Sequence, residues 1–162
     1  MGILGGLVAN NAILDAARFH EGHNHLQAAI AQAGVIVTIF PKHVCHHHEM
    51  GFKSKEKMAL INLCDYGARA NDKALKHQAI HVLQWCSAGK KTHLKLYTHK
   101  NEEHVYVMAG RLGLSKHLSD AMSIQEAKHL GHESMGLHAE AHLLSRIFKS
   151  GTLAKAIGFR CE

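Results

Sequence analysis

The sequence predicts a single-domain α+β fold, with several helices packed on a small mixed or antiparallel sheet, and three patterns carry that expectation. Val35–Phe40 is a continuously apolar, β-branched run of strand length. Residues 73–87 place Leu75, Ala79, Val82, Leu83 and Cys86 on one stripe at helical spacing. Residues 92–98 and 104–108 alternate apolar and polar side chains with period two. Only the polar segment 99–103 separates them, so the pattern is that of a hairpin over 92–108. A helix absorbing residues 102–109 is the competing reading. At 162 residues, 46% of them apolar and 20% charged, the chain is large enough to bury a core and lies outside the disordered range. Pro41 is its one proline and no linker divides it, so residues 1–162 read as one domain.

Taken in order, the apolar stretch from Met1 to Val8 is short, lacks a basic flank and is followed by Asn10 and Asn11. A packed arm is expected there, neither secretory signal nor membrane span. Gly6 also fails the position where myristoylation wants Ser or Thr. Residues 8–33 read as helical on Ile13, Leu14, Ala17, Leu26, Ala29 and Ile30, divided near Gly22 and ended by Gly34 as a C-cap. The strand Val35–Phe40 follows, stopped by Pro41, and then a histidine-rich loop over 42–51. Ser54 is placed to cap a helix through Met58, Ile61 and Cys64 to about Tyr66. Asn71 or Asp72 is placed to cap the 73–87 helix, which Gly89 closes. After the hairpin, Ser123 and Glu126 form a capping box that predicts a helix start, interrupted by Gly131 and Gly136. A stronger helix is expected over 137–149, with Leu137, Ala141, Leu144, Ile147 and Phe148 facing the core, and a last strand over 152–159.

The formal charge is +6 with histidine neutral, and the 17 histidines add positive charge in mild acid. That balance favours nucleic acid or another acidic partner, against the alternative of a soluble protein that is merely basic. Cys45, Cys64, Cys86 and Cys161 include no C-x-x-C pair. They read as free thiols in a reducing, cytoplasmic setting. No phosphate-cradling glycine loop is present, Gly110 to Gly113 being too short, and no G-x-S-x-G elbow, so neither P-loop nor serine hydrolase chemistry has support.

Histidine carries the candidate chemistry. His43, Cys45, His46, His47, His48 and Glu49 crowd into seven residues. In extended backbone His46 and His48 share a side and, with His43 or Cys45 nearby, suit Zn²⁺ or a similar divalent transition metal, with Glu49 as general base. The alternative is a solvated loop. A histidine-rich turn between a strand and a helix resembles the ββα-metal nucleases, a likeness that covers about ten residues and implies a metal-activated water. His138-Ala139-Glu140 resembles the H-A-E box of zinc-dependent nucleoside and nucleic-acid deaminases, preceded here by a helix and a predicted hairpin as in that family. The resemblance implies His138 as a zinc ligand and Glu140 as the proton shuttle. It departs from the family at its end, where the chain closes on Arg160, Cys161 and Glu162 without P-C-x-x-C.

His138 and His142 are spaced i,i+4, as are His77 and His81. Each pair lies opposite its helix's apolar stripe and is expected to be solvated, the alternative being that the two helices meet around one ion. His129, His132 and Glu133 fall in a glycine-bounded segment that reads equally as an active-site loop or a turn. Lys91, His93, Lys95, Tyr97 and His99 would line one face of a strand, with Lys100 beyond. Such a face suits phosphate contacts and base stacking, or simply a soluble hairpin. The functional expectation is a zinc-type hydrolase acting on nucleic acid or nucleotide, with water activated by a histidine-bound metal and a glutamate general base. A binding or assembly protein with surface or structural histidines is the alternative, and a weak metal store is a third.

Overall fold

In the computed structural model, residues 21–128 and 135–162 are described, and they build six α-helices around a three-stranded sheet. The α+β class is as expected. β1 (Val35–Phe40) forms where the β-branched run predicts it, and buries Val35, Val37 and Ile39. Its entry is Gly34, with φ +97°, which ends α1 (Glu21–Gln32). A Cβ there would meet the Lys57 carbonyl oxygen at 3.3 Å, in a backbone conformation that only glycine adopts without strain. Gly22 lies inside α1, and the part of the predicted first helix before residue 21 falls outside the described residues.

The helix expected over 54–66 is replaced by two strands. β3 (Ala59–Cys64) lies between β1, to which it is parallel from Val35↔Ala59 to Phe40↔Cys64, and the antiparallel β2 (Gly51–Ser54). Met58, Ile61 and Cys64 satisfy a helical spacing, but Ala59, Ile61 and Leu63 satisfy period two and are the buried ones. In so short an apolar run periodicity serves both, and pairing with β1 decides. The Ser54 hydroxyl donates to the Thr92 carbonyl at 2.7 Å instead of capping a helix.

α2 (Ala68–Ser87) begins five residues earlier than its apolar stripe predicts. The Asp65 carboxylate accepts the Gly67 amide and the Asn71 side chain, each at 3.0 Å, and this turn launches the helix. Trp85 is fully buried and its indole donates to the Lys55 carbonyl at 2.9 Å.

The 92–108 hairpin does not form. Residues 91–100 are irregular, and α3 (Glu102–Arg111) takes the second alternating segment. The Asn101 side chain accepts the His104 amide at 2.8 Å, Glu102 and Glu103 fill the first turn, and Val105 and Ala109 face inward at i,i+4. α4 (Ser115–Lys128) contains the predicted capping box rather than starting at it, since Ser123 turns its hydroxyl back to the Ser119 carbonyl. α5 (Met135–Ile147) matches the expected strong helix. α6 (Ser150–Arg160) replaces the expected last strand, burying Leu153 and Ile157 four residues apart.

The cysteines correct the free-thiol expectation. Cys45 is bonded to Cys64 and Cys86 to Cys161, which clamps the turn after β1 to the end of β3 and α6 to the end of α2. Sequence spacing hid both pairs, because each joins positions that only the sheet register and the α2–α6 packing bring together. No helix among the described residues is long and apolar enough to cross a membrane.

Two hydrophobic clusters result. The larger joins the sheet, α1, α2 and α6 around Ile61, Leu83, Trp85 and Ile157; the smaller joins α3, α4 and α5 around Val105, Leu118 and Leu143. α5 belongs to both, giving Ala141 and Leu144 to one and Ala139 and Leu143 to the other. Its remaining face, His138 and His142, meets α2.

Candidate metal centre

The last two turns of α2 are enclosed on every side, with each residue from Ala79 to Cys86 buried. His81 is therefore inside the protein, and His77, one turn earlier, stands beside it with ring centroids 5.1 Å apart. From α5, His138 approaches His81 at 5.2 Å and His142 approaches His77 at 4.4 Å. The pairing runs in opposite directions along the two helices, so the i,i+4 ladders of antiparallel helices face each other rung by rung. Both pairs were expected to be solvated. Instead they sit at a helix crossing, because α5 buries its apolar residues on two cores at once and leaves α2 as the neighbour of its histidine face.

His77, His81 and His138 each offer a ring nitrogen, and the three atoms lie within 4.8 Å of one another. Among the described residues no other trio of histidine, cysteine or acidic side chains is so placed. Burial pushes His77 well below the usual histidine range, and the neighbouring His81, His142 and His138 push it further. Burial likewise brings His81 down to about 4, with His138 and His142 adding to the shift while Gln84 and Glu140 oppose it. Both rings are neutral at pH 7, the state in which imidazole binds a metal.

A hydrogen-bond chain fixes which nitrogen His81 presents. Gln84 donates its amide protons to the Leu137 carbonyl and to Glu140 Oε1, each at 2.9 Å, and both are acceptors only. Its Oε1 therefore faces His81 Nδ1 at 2.8 Å, and Nδ1 must carry the proton. Nε2 is left as the bare, metal-binding nitrogen. Such an outer partner sets both the tautomer and the orientation of a ligand histidine.

Glu140, singled out in the sequence as a candidate proton shuttle, is fully buried and holds the irregular segment in place. Its Oε1 accepts Gln84 and the Tyr97 amide (2.6 Å), and its Oε2 accepts the amides of Thr98 (2.9 Å) and His99 (3.1 Å) and His99 Nδ1 (2.7 Å). Burial alone would raise its pKa, but these donors together outweigh burial and hold the carboxyl below its ordinary value. The backbone of residues 97–99 thus forms a nest for an anion supplied by the protein itself.

The other candidate residues lie elsewhere. His43, His46, His48 and Glu49 are exposed on or next to a short 3-10 turn, Lys42–His47. His46 packs on His47, His48 stacks on Phe40 with centroids 4.0 Å apart, and Cys45 is committed to its disulfide. Glu49 pairs with Lys53, whose hydrogen bond and charge lower its pKa. The side chains of Lys91, Lys95 and Lys100 are exposed, Lys91 lying 3.7 Å from Glu56, but they share no strand face. Tyr97 packs against the larger core with the Arg160 guanidinium 5.1 Å from its ring centroid, and His99 turns inward with 7% of its side chain exposed. His129, His132 and Glu133 lie outside the described residues. Gln84 was missed in the sequence, where a glutamine beside an apolar stripe carries no signal of its own.

A cleft of about 770 Å³ opens beside the histidines, lined by Arg69, Lys73, Lys76, His77, His142 and Arg146 among others. Comparison with family models, with curated proteins and with solved structures gives no match to this chain.

Proposed function

We propose that the chain is a zinc-type metalloprotein, with His77, His81 and His138 holding the ion, that acts as a hydrolase on a nucleotide or nucleic-acid substrate. The observation that carries this reading is the trio of ring nitrogens within 4.8 Å, two of the rings held neutral by burial and one held in its metal-binding tautomer by Gln84. Three imidazoles suit Zn²⁺ or a similar divalent transition metal, and a three-ligand set leaves a coordination position for water or substrate. A bound ion of this kind supplies Lewis acidity and lowers the pKa of water. With an ion held there, His142, beside His77 and on the wall of the same cleft, would supply a further imidazole near the centre. Glu140 supports the centre through Gln84, its own oxygens being occupied by amide and imidazole donors.

A second reading is a structural metal in a binding or assembly protein. The burial of His81, 4% exposed, favours it. The two disulfides support an oxidising setting in place of the cytoplasmic one the sequence suggested.

Metal content after dialysis against a weak chelator tests the shared part of both readings. One zinc per chain in the wild type and none in His81→Ala or His138→Ala is expected; retention by both variants sinks the assignment. Hydrolysis of a chromogenic phosphate ester that disappears with the metal separates the enzyme from the structural site.

A further inference from the structure

The two histidine ladders do not stop at the histidines. On α2 the i,i+4 row reads Arg69, Lys73, His77, His81, and on α5 it reads His138, His142, Arg146. Because the helices run in opposite directions, the buried rungs pair His81 with His138 and His77 with His142. The next rung outward carries Lys73 on one side and Arg146 on the other, where the cleft opens. Lys76 lies at the same level, partly buried and close enough to Arg146 for the guanidinium charge to act on its ammonium. One face of a helix pair therefore changes from imidazole to cation within two turns.

We propose that this rung of cations is a phosphate seat, and that the substrate of the centre is a small phosphate ester of about nucleotide size whose phosphate lies between Lys73, Lys76 and Arg146. The inference rests on the metal-centre reading for what lies at its inner end. Four cations, Arg69, Lys73, Lys76 and Arg146, line the cleft against one carboxylate, Asp72. Like charges gathered along one concave surface repel one another, and an anion relieves that repulsion. Arg146 adds a planar fork that matches phosphate oxygens two at a time. Size bears on the class: about 770 Å³ is the volume of a small-molecule pocket. Ala70, Ala74, Ala121 and Ile124 give the body of the ester an apolar wall. An ester seated this way has His77 and His142 at its inner end, which is where a metal-activated water would be needed.

The test is titration of the full-length protein, stripped of metal, with inorganic phosphate, followed by calorimetry and by amide shifts of residues 69–77 and 142–146. Wild type is expected to bind, and the double variant Lys76→Gln/Arg146→Gln to bind at least about tenfold more weakly, the loss of one or two charge-assisted hydrogen bonds. Before stripping, the double variant should hold zinc as the wild type does, since neither residue is one of the three ligands. Equal phosphate affinity in the two proteins overturns the seat, as does a wild type that binds no phosphate. Tight binding of a twenty-nucleotide single strand that is indifferent to both substitutions also overturns it, in favour of a polymer bound elsewhere. A wild type that holds no zinc before stripping, yet binds phosphate, removes the metal reading and leaves the anion site standing.

Discussion

At His81 the direction of one amide decides what the ring can bind. Gln84 faces two pure acceptors with its NH₂ group, so its oxygen is turned to His81 Nδ1 and the proton must reside there. Replacing Gln84 by Leu removes the acceptor while keeping most of the volume, and leaves Glu140 with its donors from residues 97–99. Zinc affinity should fall 10–100-fold, the range found when the outer partner of a ligand histidine is lost, and stability by about 1–3 kcal/mol for the groups left unsatisfied. Chelator competition reads the first and urea unfolding the second. Long-range ¹H–¹⁵N spectra of the metal-free wild type read the premise directly. A His81 ring protonated at Nε2 instead of Nδ1 would remove the basis for the assigned role of Gln84.

At the scale of elements, α6 is held by both packing and a covalent tie. Leu153 and Ile157 seat it on the larger core, and Cys161 ties its end to Cys86 near the end of α2. The two disulfides close loops of different length, 19 and 75 residues apart in sequence. On loop-closure entropy the shorter contributes about 3 kcal/mol and the longer about 4 kcal/mol. Cys86→Ser/Cys161→Ser should therefore lower the stability measured by urea unfolding more than Cys45→Ser/Cys64→Ser. The reverse order would mean that α6 is secured by its apolar contacts alone. How much of this was legible depends on what each pattern had to compete with. The β-branched run of β1 and the apolar stripe of α2 announce themselves locally, and the structure follows them; of the core face expected on α5, Ala141 and Leu144 are buried but Ile147 is 40% exposed. The alternation at 92–108 misled because His104, Tyr106 and Met108 mark no buried strand face. An Asn101 cap and two acidic residues in the first turn turn the segment into α3. Residues 92–100 have no ladder partner, and their amides at 97–99 go to Glu140 from α5, a carboxylate forty residues away that no local pattern reveals. The i,i+4 histidine pairs were visible too. What sequence could not supply was the helix crossing that turns two outward-looking faces toward each other.

Across the whole molecule these choices set the response to acid. A histidine whose folded pKa lies below its unfolded value leaves stability unchanged above pH 6.5, where both states are neutral. As pH falls below that, the unfolded chain takes up a proton that the folded chain refuses, so stability declines until the folded pKa is reached. For His81, brought from 6.5 to about 4 mainly by burial, the decline amounts to about 3 kcal/mol between those limits. His77, depressed well below its ordinary value for the same reason, acts in the same direction from pH 6.5 downward. The groups facing them are His138 and His142 from α5, whose protonation opposes theirs, and Glu140, which favours the charged form of His81. Glu140 itself adds a later loss. Its folded pKa is below 4.5, so the stability it contributes is complete above that value and disappears as pH falls through the folded value. The metal-free protein should therefore lose stability in two stages, the first between pH 6.5 and 4 and the second below about 4.5. A bound transition metal competes with protons for the same nitrogens and should hold stability further into acid before releasing it more steeply. Urea unfolding at half-unit pH steps, on metal-free wild type and on His81→Asn, measures this. The variant is expected to start less stable but to show a shallower slope from pH 6.5 to 4. Equal slopes in the two proteins would mean that His81 takes up its proton in the folded state as readily as in the unfolded chain, which its enclosure between α2 and α5 does not permit.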